Sequence, residues 1–270
     1  MTSQLSDLLE SGEGKPILFL HGWPFHRGAF SKVIEHLRPS YRCMALNFAG
    51  MTDRVWPDDT DYSFQAHAER SIGLIEQVAP DGCVITAHNT GGTTARLIAA
   101  RRPDLVKHLI LLNTEIPNHR PPFIPMYQRT AFWPGTYTIQ KWLMRRRWFQ
   151  RSEAGFGGCF SDPAHIDEAF IEQYGTYWTE RRERHRELMR YLKGVDFSVI
   201  DNLDQVHAKI ECPVTFIWGE EDPTFPVNLG EQMARSMPTL KAFHRMKKAK
   251  FLPHEEHPKT VADLIQSTLQ

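Results

Sequence analysis

Short apolar runs alternate with amphipathic segments over most of the chain. The runs are apolar at successive positions, so both faces of each strand are expected to be buried, as in a parallel sheet covered by helices on two sides. We predict strands at 17–20, 43–48, 83–87, 109–113, 214–218 and 240–246. We predict helices at 28–38, 63–79, 91–102, 227–237 and 258–269. This order indicates a doubly wound α/β sheet with its functional crevice at the carboxyl ends of the strands.

The alternation stops between residues 117 and 207. This stretch opens with the proline-rich PNHRPPFIP and continues as helical patterns rich in aromatic and arginine residues. We therefore predict a core formed by 1–116 and 208–270, with 117–207 as a helical cap, or lid, over the crevice. The arginines at 145–147 would point to different sides of a helix, which favours a solvated surface over a phosphate or nucleic-acid site.

Composition narrows the class of partner. Lysine plus arginine total 32, as do aspartate plus glutamate, so the formal net charge is zero. No overall electrostatic attraction to nucleic acid or a membrane is therefore expected, and we predict a small-molecule partner. No apolar run approaches the roughly 18 residues of a membrane span, and the first residues have no apolar signal core. The four cysteines show no CxxC spacing, so we expect reduced structural thiols, no metal site, no cofactor and a cytoplasmic setting.

The stretch TAHNTGG (86–92) follows the apolar run 83–87 and precedes a helical pattern. A small residue, a central residue and two glycines between a strand and a helix are typical of a strained turn that exposes a nucleophile. The central residue here is Asn89, whose neutral carboxamide is a poor nucleophile. The alternative interpretation is that TGG only packs a helix against the sheet.

The HGWP loop (21–24) directly follows the first predicted strand. In a doubly wound sheet such a loop lies beside the turn at 86–92. The backbone N–H groups of Trp23 and Thr90 are therefore predicted to form an oxyanion hole. Taken alone, the loop would indicate only a turn.

HGWP (21–24), AHNTGG (87–92) and WGEED (218–222), with a helical insertion at 117–207, resemble the α/β-hydrolase superfamily in order and spacing over nearly the whole chain. The closest resemblance is to the haloalkane dehalogenase and epoxide hydrolase branch. This resemblance implies an α/β-hydrolase fold, a mostly parallel sheet with an inserted helical cap. It also implies hydrolysis of a small, mainly apolar molecule beneath that cap.

In that branch an aspartate at the turn attacks carbon to form an ester, and a histidine-activated water then hydrolyses the ester. The resemblance places Asn89 at the nucleophile position and Asp222 at the position of the acid that orients the histidine. Glu115, after the predicted strand 109–113, occupies the other place where such an acid can lie. The alternative roles are a turn or helix-cap carboxylate for Asp222 and a structural carboxylate for Glu115.

The family histidine lies after the last strand in a pattern close to G-H-F-x-x-E-x-x-P, where this chain has KKAKFLPHEEHPKT (247–260). If Glu255 and Pro258 set the register, Phe251 takes the histidine position. If FLP is matched instead, Lys250 takes it. Phenylalanine cannot accept a proton, and lysine would need a large fall in its pKa to act as a base.

His254 and His257 are close in sequence to this position, and a rearranged loop would present one of them to the site. We keep His254 as a candidate base on that ground.

Other positions also depart from the resemblance. The loop after the second strand commonly reads D-x-x-G-x-G-x-S in related sequences, and here Asn47 replaces the acid and Thr52 the second glycine. Dehalogenases often place tryptophan after the nucleophile and asparagine after the first HG, where this chain has Thr90 and Trp23. Epoxide hydrolases use two cap tyrosines. The candidates are Tyr127, Tyr137, Tyr174, Tyr177 and Tyr191.

Three hypotheses for function follow. The first is a hydrolase of this branch, impaired or unorthodox because the nucleophile and histidine positions are altered. The second is a non-hydrolytic enzyme, a lyase or proton-transfer catalyst, that uses the same pocket through His88, His254, Lys250 or Asn89. The third is a catalytically silent binder of a small apolar ligand. The substrate and the oligomeric state are not determined by the sequence.

Overall fold

A mostly parallel β-sheet forms the centre of the molecule. The computed structural model describes residues 5–52 and 54–270. The strands of these residues are β1 Leu8–Ser11, β2 Lys15–Leu20, β3 Tyr41–Leu46, β4 Cys83–His88, β5 Val106–Leu112, β6 Val214–Gly219 and β7 Leu240–Met246. They form one sheet in the order β1-β3-β2-β4-β5-β6-β7. All neighbouring pairs are parallel except β1 with β3, which confirms the predicted sheet.

The helices of the described residues cover both faces of this sheet. They are α1 Ser31–Leu37, α2 Phe64–Val78, α3 Thr90–Arg101, α4 Ile124–Thr130, α5 Thr136–Met144, α6 Arg147–Gln150, α7 Glu168–Ile171, α8 Tyr177–Glu180, α9 Arg182–Gly194, α10 Phe197–Asp201, α11 Leu203–His207, α12 Val227–Arg235, α13 Pro253–Glu256 and α14 Pro258–Leu269. Short 3-10 turns occur at Leu5–Asp7, Arg27–Phe30, Pro103–Leu105 and Pro163–His165, and a π turn at Glu172–Thr176. Among these helices, none combines the length and the apolar character that crossing a bilayer requires.

Two apolar clusters explain how the layers hold together. α1 and α14 pack against each other on one face of the sheet, where Val33 and Ile265 are fully buried. α2 and α3 lie in the other cluster, which also contains apolar residues of the inserted helices such as Trp178 and Leu192. Burial of these side chains from both sides accounts for the continuous apolar runs of the strands.

The strand β1 was not predicted from the sequence. Its residues, LLES, are intermediate or exposed, and it pairs only with β3, at the edge of the sheet. An edge strand with no buried face lacks the apolar signal by which the other strands were predicted.

The helix predicted across the arginines at 145–147 is interrupted. α5 ends at Met144, Arg146 is extended at φ −110° and ψ 116°, and α6 begins at Arg147. The three arginines therefore do not lie on one continuous helix, and all of them are exposed. The arginines are solvated as expected, but they lie at the break between α5 and α6 and not on different sides of one helix.

Candidate functional site

The turn at 86–92 is a tight strand-to-helix elbow. β4 ends at His88, α3 begins at Thr90, and Asn89 between them has φ 51° and ψ −132°. A positive φ is costly for a non-glycine residue and persists only where the surroundings enforce it. The elbow backbone is fixed in part by a hydrogen bond from the Asn89 N–H to the carbonyl of Asn113, at 3.1 Å.

Glycines allow the elbow to pack closely against its neighbours. A Cβ on Gly22 would lie 2.3 Å from the Cβ of Asn89, and one on Gly91 would lie 2.4 Å from the carbonyl oxygen of His21. A Cβ on Gly92 would meet the hydroxyl of Thr114 at 2.2 Å. These distances explain why small residues surround the elbow in the sequence.

The side chain of Asn89 is held by the HGWP loop. Its Nδ2 donates a hydrogen bond to the carbonyl oxygen of Trp23 at 2.7 Å. A carboxylate in the same rotamer would place an oxygen against that carbonyl. The amide therefore suits this contact as an aspartate in the same position would not.

One of the two predicted oxyanion donors, the backbone N–H of Trp23, already has an acceptor in the protein. The Trp23 N–H donates to the Oγ1 of Thr90 at 3.0 Å, and that hydroxyl is 3.0 Å from the hydroxyl of Tyr191. A bound oxyanion would have to replace the Thr90 hydroxyl at the Trp23 N–H. The oxyanion role of Trp23 and Thr90 stays a prediction.

A cavity of about 310 Å³ lies between the elbow, the HGWP loop and the helices inserted between β5 and β6. Most of its wall is apolar, and Phe25, Met144 and Leu192 are examples. The polar side chains on the wall, tyrosines and tryptophans aside, are Asn89, Thr90, Gln140, Glu115, Glu153, Thr179 and Thr224. No histidine of the described residues contributes to it.

Phe251 occupies the wall beside the elbow. Its side chain is 6% exposed and lines the cavity, and its ring centroid lies 4.6 Å from that of His88. The Nε2 of His88 donates to the carbonyl oxygen of Phe251 at 2.9 Å. Lys250 turns elsewhere, with its Nζ 3.4 Å from the carbonyl oxygen of Gly157.

His254 lies behind Phe251 and off the cavity wall. It is fully buried in α13, stacked on Phe30 at a centroid distance of 4.6 Å, and its ring is also 4.6 Å from that of His88. Burial lowers the pKa of His88 to about 3 and that of His254 well below its ordinary value. Both rings are therefore neutral at physiological pH, and the role of His254 as a base stays a prediction.

Asp222 is buried after β6, away from the cavity wall. Its Oδ2 accepts from the Nδ2 of Asn113 and its Oδ1 from the N–H of Thr224, both at 2.7 Å. Asn113 is itself fixed, because its Oδ1 accepts from the N–H of Gly219 at 2.9 Å. Burial nevertheless raises the pKa of Asp222 to about 7, against the opposing effect of these hydrogen bonds.

We expect the titration of Asp222 to be visible in the stability of the protein. The raised pKa means that the folded state holds this proton more tightly than the unfolded state. The contribution of Asp222 to the free energy of unfolding should therefore fall as pH rises from about 4 to about 7, by about 1.4 kcal/mol per pH unit. Urea unfolding of the parent and the Asp222→Asn variant, compared at pH 6 and pH 8, measures this contribution. An identical pH slope in both proteins would contradict it.

Glu115 lines the cavity and belongs to a buried polar network. Its Oε2 accepts from the hydroxyls of Thr93 and Thr114 at 2.9 and 3.0 Å, and lies 3.9 Å from the Nη2 of Arg96. The Oγ1 of Thr114 also lies 2.9 Å from the carbonyl oxygen of Asn89, which is an alternative acceptor for its single proton, so the network reaches the elbow. Burial raises the pKa of Glu115, while Arg96 opposes that rise.

Arg96 was missed as a site residue in the sequence. It is fully buried and donates to the carbonyls of Gly92 and Glu115 and to the hydroxyls of Thr93 and Thr114. The available signal was an arginine within the otherwise small and apolar segment GGTTARLIAA. A charged residue in a helix that is apolar all round indicates a buried pair.

The candidate tyrosines of the insertion divide into two groups. Tyr127 and Tyr174 line the cavity, and Tyr191 reaches the elbow through Thr90. Tyr137 and Tyr177 are not on the cavity wall. The hydroxyls on the wall are already engaged by protein groups, because Tyr127 donates to the carbonyl oxygen of Ala154 and Tyr174 to Glu255.

A family model described as the alpha/beta hydrolase fold matches residues 15–258. The chain belongs to the α/β-hydrolase fold family. The predicted superfamily is thereby confirmed.

Among curated relatives of this chain, the uncharacterized hydrolase YugF of Bacillus subtilis is 23% identical over 92% of this chain and 88% of its own length. The pimeloyl-[acyl-carrier protein] methyl ester esterase of Chromobacterium violaceum is 24% identical over 91% of each chain.

Solved structures include an α/β-hydrolase fold protein from Burkholderia ambifaria, with a TM-score of 0.82, 19% identity and coverage of 96% of this chain and 93% of its own. A variant of the epoxide hydrolase from Solanum tuberosum has a TM-score of 0.76 at 18% identity, and the match covers 97% of this chain and 95% of the epoxide hydrolase. The structure of an ancestral haloalkane dehalogenase has a TM-score of 0.74 at 20% identity, and the match covers 96% of this chain and 93% of the dehalogenase. The predicted resemblance to epoxide hydrolases and haloalkane dehalogenases is confirmed. The chain is also similar to an esterase. At identities of 18–20%, the likeness to solved structures shows the fold.

Proposed function

We propose that this α/β-hydrolase fold protein takes a small, mainly apolar molecule beneath a cap formed by residues 117–207, and that it does so without an ester intermediate at residue 89. The observation that carries the proposal is the pair Asn89 and Phe251 on one cavity wall. By the resemblance, the amide of Asn89 takes the place of the branch's nucleophile, and in the register set by Glu255 and Pro258 the phenyl ring of Phe251 takes the place of its base.

The first chemical step of ester-intermediate hydrolysis needs an anionic or activated nucleophile. The Asn89 carboxamide is neutral, and its Nδ2–H is used in the hydrogen bond to the Trp23 carbonyl. Attack on carbon by the amide would also leave a charged imidate in a mostly apolar cavity. These properties favour binding at the elbow over covalent chemistry.

The second step needs a general base within reach of a water molecule. Phe251 supplies none, and His88 donates to a backbone carbonyl. The acid that would orient a histidine, Asp222, is hydrogen-bonded to Asn113 and Thr224 instead. An ester at residue 89 would therefore lack the histidine-activated water that hydrolyses it in this branch.

Ligand binding in the cavity is tested by narrowing it. Met144 lines the cavity, whereas Ile139 on the same helix is 57% exposed. We expect Met144→Trp to weaken binding of small haloalkanes, epoxides and esters by at least about tenfold, because the indole fills space that the ligand needs. Ile139→Trp, the matched control, should bind as the parent does. Calorimetric titration measures both, and equal affinities in the two variants would refute the cavity as the binding site.

A second candidate function is proton transfer by Glu115. This carboxyl lines the cavity, and burial raises its pKa, which is the direction that makes a carboxylate a stronger base. A benzisoxazole, whose ring opens when a carbon-bound proton is removed, is a suitable probe. The rate should rise with pH as Glu115 ionises and should be lost in Glu115→Gln. Turnover that survives this substitution would exclude the carboxyl as the base.

A further inference from the structure

The outer surface of the inserted helices displays large apolar side chains to solvent. Trp133, Trp142 and Trp148 are 60%, 51% and 62% exposed, and Phe132 and Ile139 are 55% and 57% exposed. Isolated exposed apolar residues are normal, but several large ones within one short segment mark an interaction surface. We call residues 132–148 the aromatic face.

The same segment is strongly basic. From residue 116 to residue 152 the sequence contains no aspartate or glutamate, whereas it contains Arg129, Lys141 and the arginines at 145–147. The balanced charge of the whole chain therefore conceals a local excess of positive charge, and the expectation that no membrane is a partner depended on that balance.

The arginines at 145–147 also differ from other surface arginines in their partners. Arg42, Arg102 and Arg186 lie within 2.9 Å of a carboxylate. Within residues 5–52 and 54–270, no carboxylate lies within ion-pair distance of 145–147. Their charge is therefore free to attract an external anion.

Aromatic and basic groups meet on this face. The rings of Trp142 and Trp148 lie 6.5 Å apart edge to face, and the guanidinium of Arg146 lies 4.9 Å from the Trp142 ring. Ile139 is one turn before Trp142 on α5, on the same side of the helix. The inner sides of α5 and α6 contribute Leu143 and Phe149 to the cavity wall.

We propose that the aromatic face docks on the surface of a lipid bilayer containing anionic lipids. Indole rings partition into the headgroup region because one edge is polar and the rest apolar, and each nearby arginine adds attraction to an anionic surface. Because α5 and α6 also wall the cavity, docking would place the cavity next to the bilayer.

The charge pattern of this segment argues against a second copy of the chain as the partner of the aromatic face. Two copies of the chain would bring like charges together, since residues 116–152 include no acid that could pair with the partner's arginines. An acidic protein would satisfy the arginines. The exposed indole rings, however, fit the headgroup region of a bilayer, into which they can insert, better than they fit the surface of an acidic protein.

Vesicle sedimentation tests the proposal with the full chain. We expect the protein to sediment with vesicles of phosphatidylglycerol and phosphatidylcholine, to remain in solution with phosphatidylcholine alone, and to be released by high salt. Arg145→Glu with Arg147→Glu should lower the partition coefficient by at least about tenfold. Trp142→Ser with Trp148→Ser should also lower it, without altering the circular dichroism spectrum.

Matched controls isolate the role of this face. Lys209 and Lys241 are exposed outside the insertion, and reversing both changes the net charge as much as reversing two arginines; this control should bind vesicles as the parent does. Equal binding by the arginine variant, or no preference for anionic vesicles, would overturn the proposal. So would binding of poly-glutamate with no binding of vesicles, or a dimer in sedimentation velocity that the tryptophan variant abolishes.

Discussion

Lowering the pH from 7 to 5 is expected to unfold the protein cooperatively. Five histidines that are at most 2% exposed have lowered pKa values, chiefly because burial disfavours their charged form. They are His21, His67, His88, His207 and His254. A base whose pKa is lower in the folded state binds its proton mainly after unfolding. The stability that it contributes is present above pH 6.5 and is lost as pH falls below that value.

The size of this effect follows from the number of protons. Each such histidine removes up to about 1.4 kcal/mol per pH unit below 6.5, so five remove up to about 7 kcal/mol per pH unit. Burial raises the pKa values of Asp222, Glu115 and Glu255, and these carboxyls oppose the loss. Three carboxyls offset only part of the stability that five histidines remove. The net loss in the free energy of unfolding by pH 5 is therefore comparable to a typical stability of about 5–15 kcal/mol.

One substitution tests the contribution of a single histidine. His254 stacks on Phe30, and neither of its ring nitrogens has a hydrogen-bond partner in the described part of the chain. His254→Phe should therefore keep the stacking and raise stability at pH 5 by about 2 kcal/mol relative to the parent. His36 is exposed, and His36→Phe is the control. Urea unfolding at pH 7 and the acid-unfolding midpoint of each protein, followed by circular dichroism, give the comparison, and a midpoint that is unchanged by His254→Phe would refute the explanation.

Replacing Arg96 with methionine is expected to lower the free energy of unfolding by about 3–5 kcal/mol at neutral pH. The guanidinium is fully buried, and its loss leaves Glu115 without its cationic partner and the hydroxyls of Thr93 and Thr114 without a donor. The loss should be smaller at low pH, where Glu115 is protonated and needs no cation.

A double substitution separates the charge from the packing. Arg96→Met with Glu115→Gln removes both charges, so it should regain a large part of the stability that Arg96→Met loses. Denaturant unfolding of the four proteins gives the interaction energy between the two residues. If the double variant is as unstable as the sum of the single variants, the two side chains are not coupled in the way described.

The sheet could be predicted because its strands are buried on both faces. β4 and β6 are buried at every position, so their sequences, CVITAH and VTFIWG, are largely apolar. β1 could not be predicted in this way, because its side chains are at least partly exposed. The break between α5 and α6 also left no pattern, since the arginines on either side are exposed and tolerate either conformation.

Some contacts between the candidate site residues could be predicted, because the order of strands and loops along the chain implies them. Asn89, Trp23 and Thr90 are brought together because the ends of neighbouring parallel strands meet at one edge of the sheet. The position of His254 could not be predicted, because it depends on stacking against Phe30, which lies in a 3-10 turn far away in the sequence. The hydrogen bond from Asn113 to Asp222 also joins residues far apart in sequence.

Mass spectrometry of the intact protein after exposure to haloalkanes, epoxides and activated esters tests the central claim most directly. The parent, with the amide at residue 89 verified by peptide mapping, should show no adduct and no turnover. Asn89→Asp should accumulate an ester at residue 89, because no histidine of the described residues lines the cavity to activate the water that hydrolyses it. Asn89→Asp with Phe251→His should release the ester, because the new imidazole can activate water. An ester on the parent, or turnover by the parent that Asn89→Ala abolishes, would contradict the account.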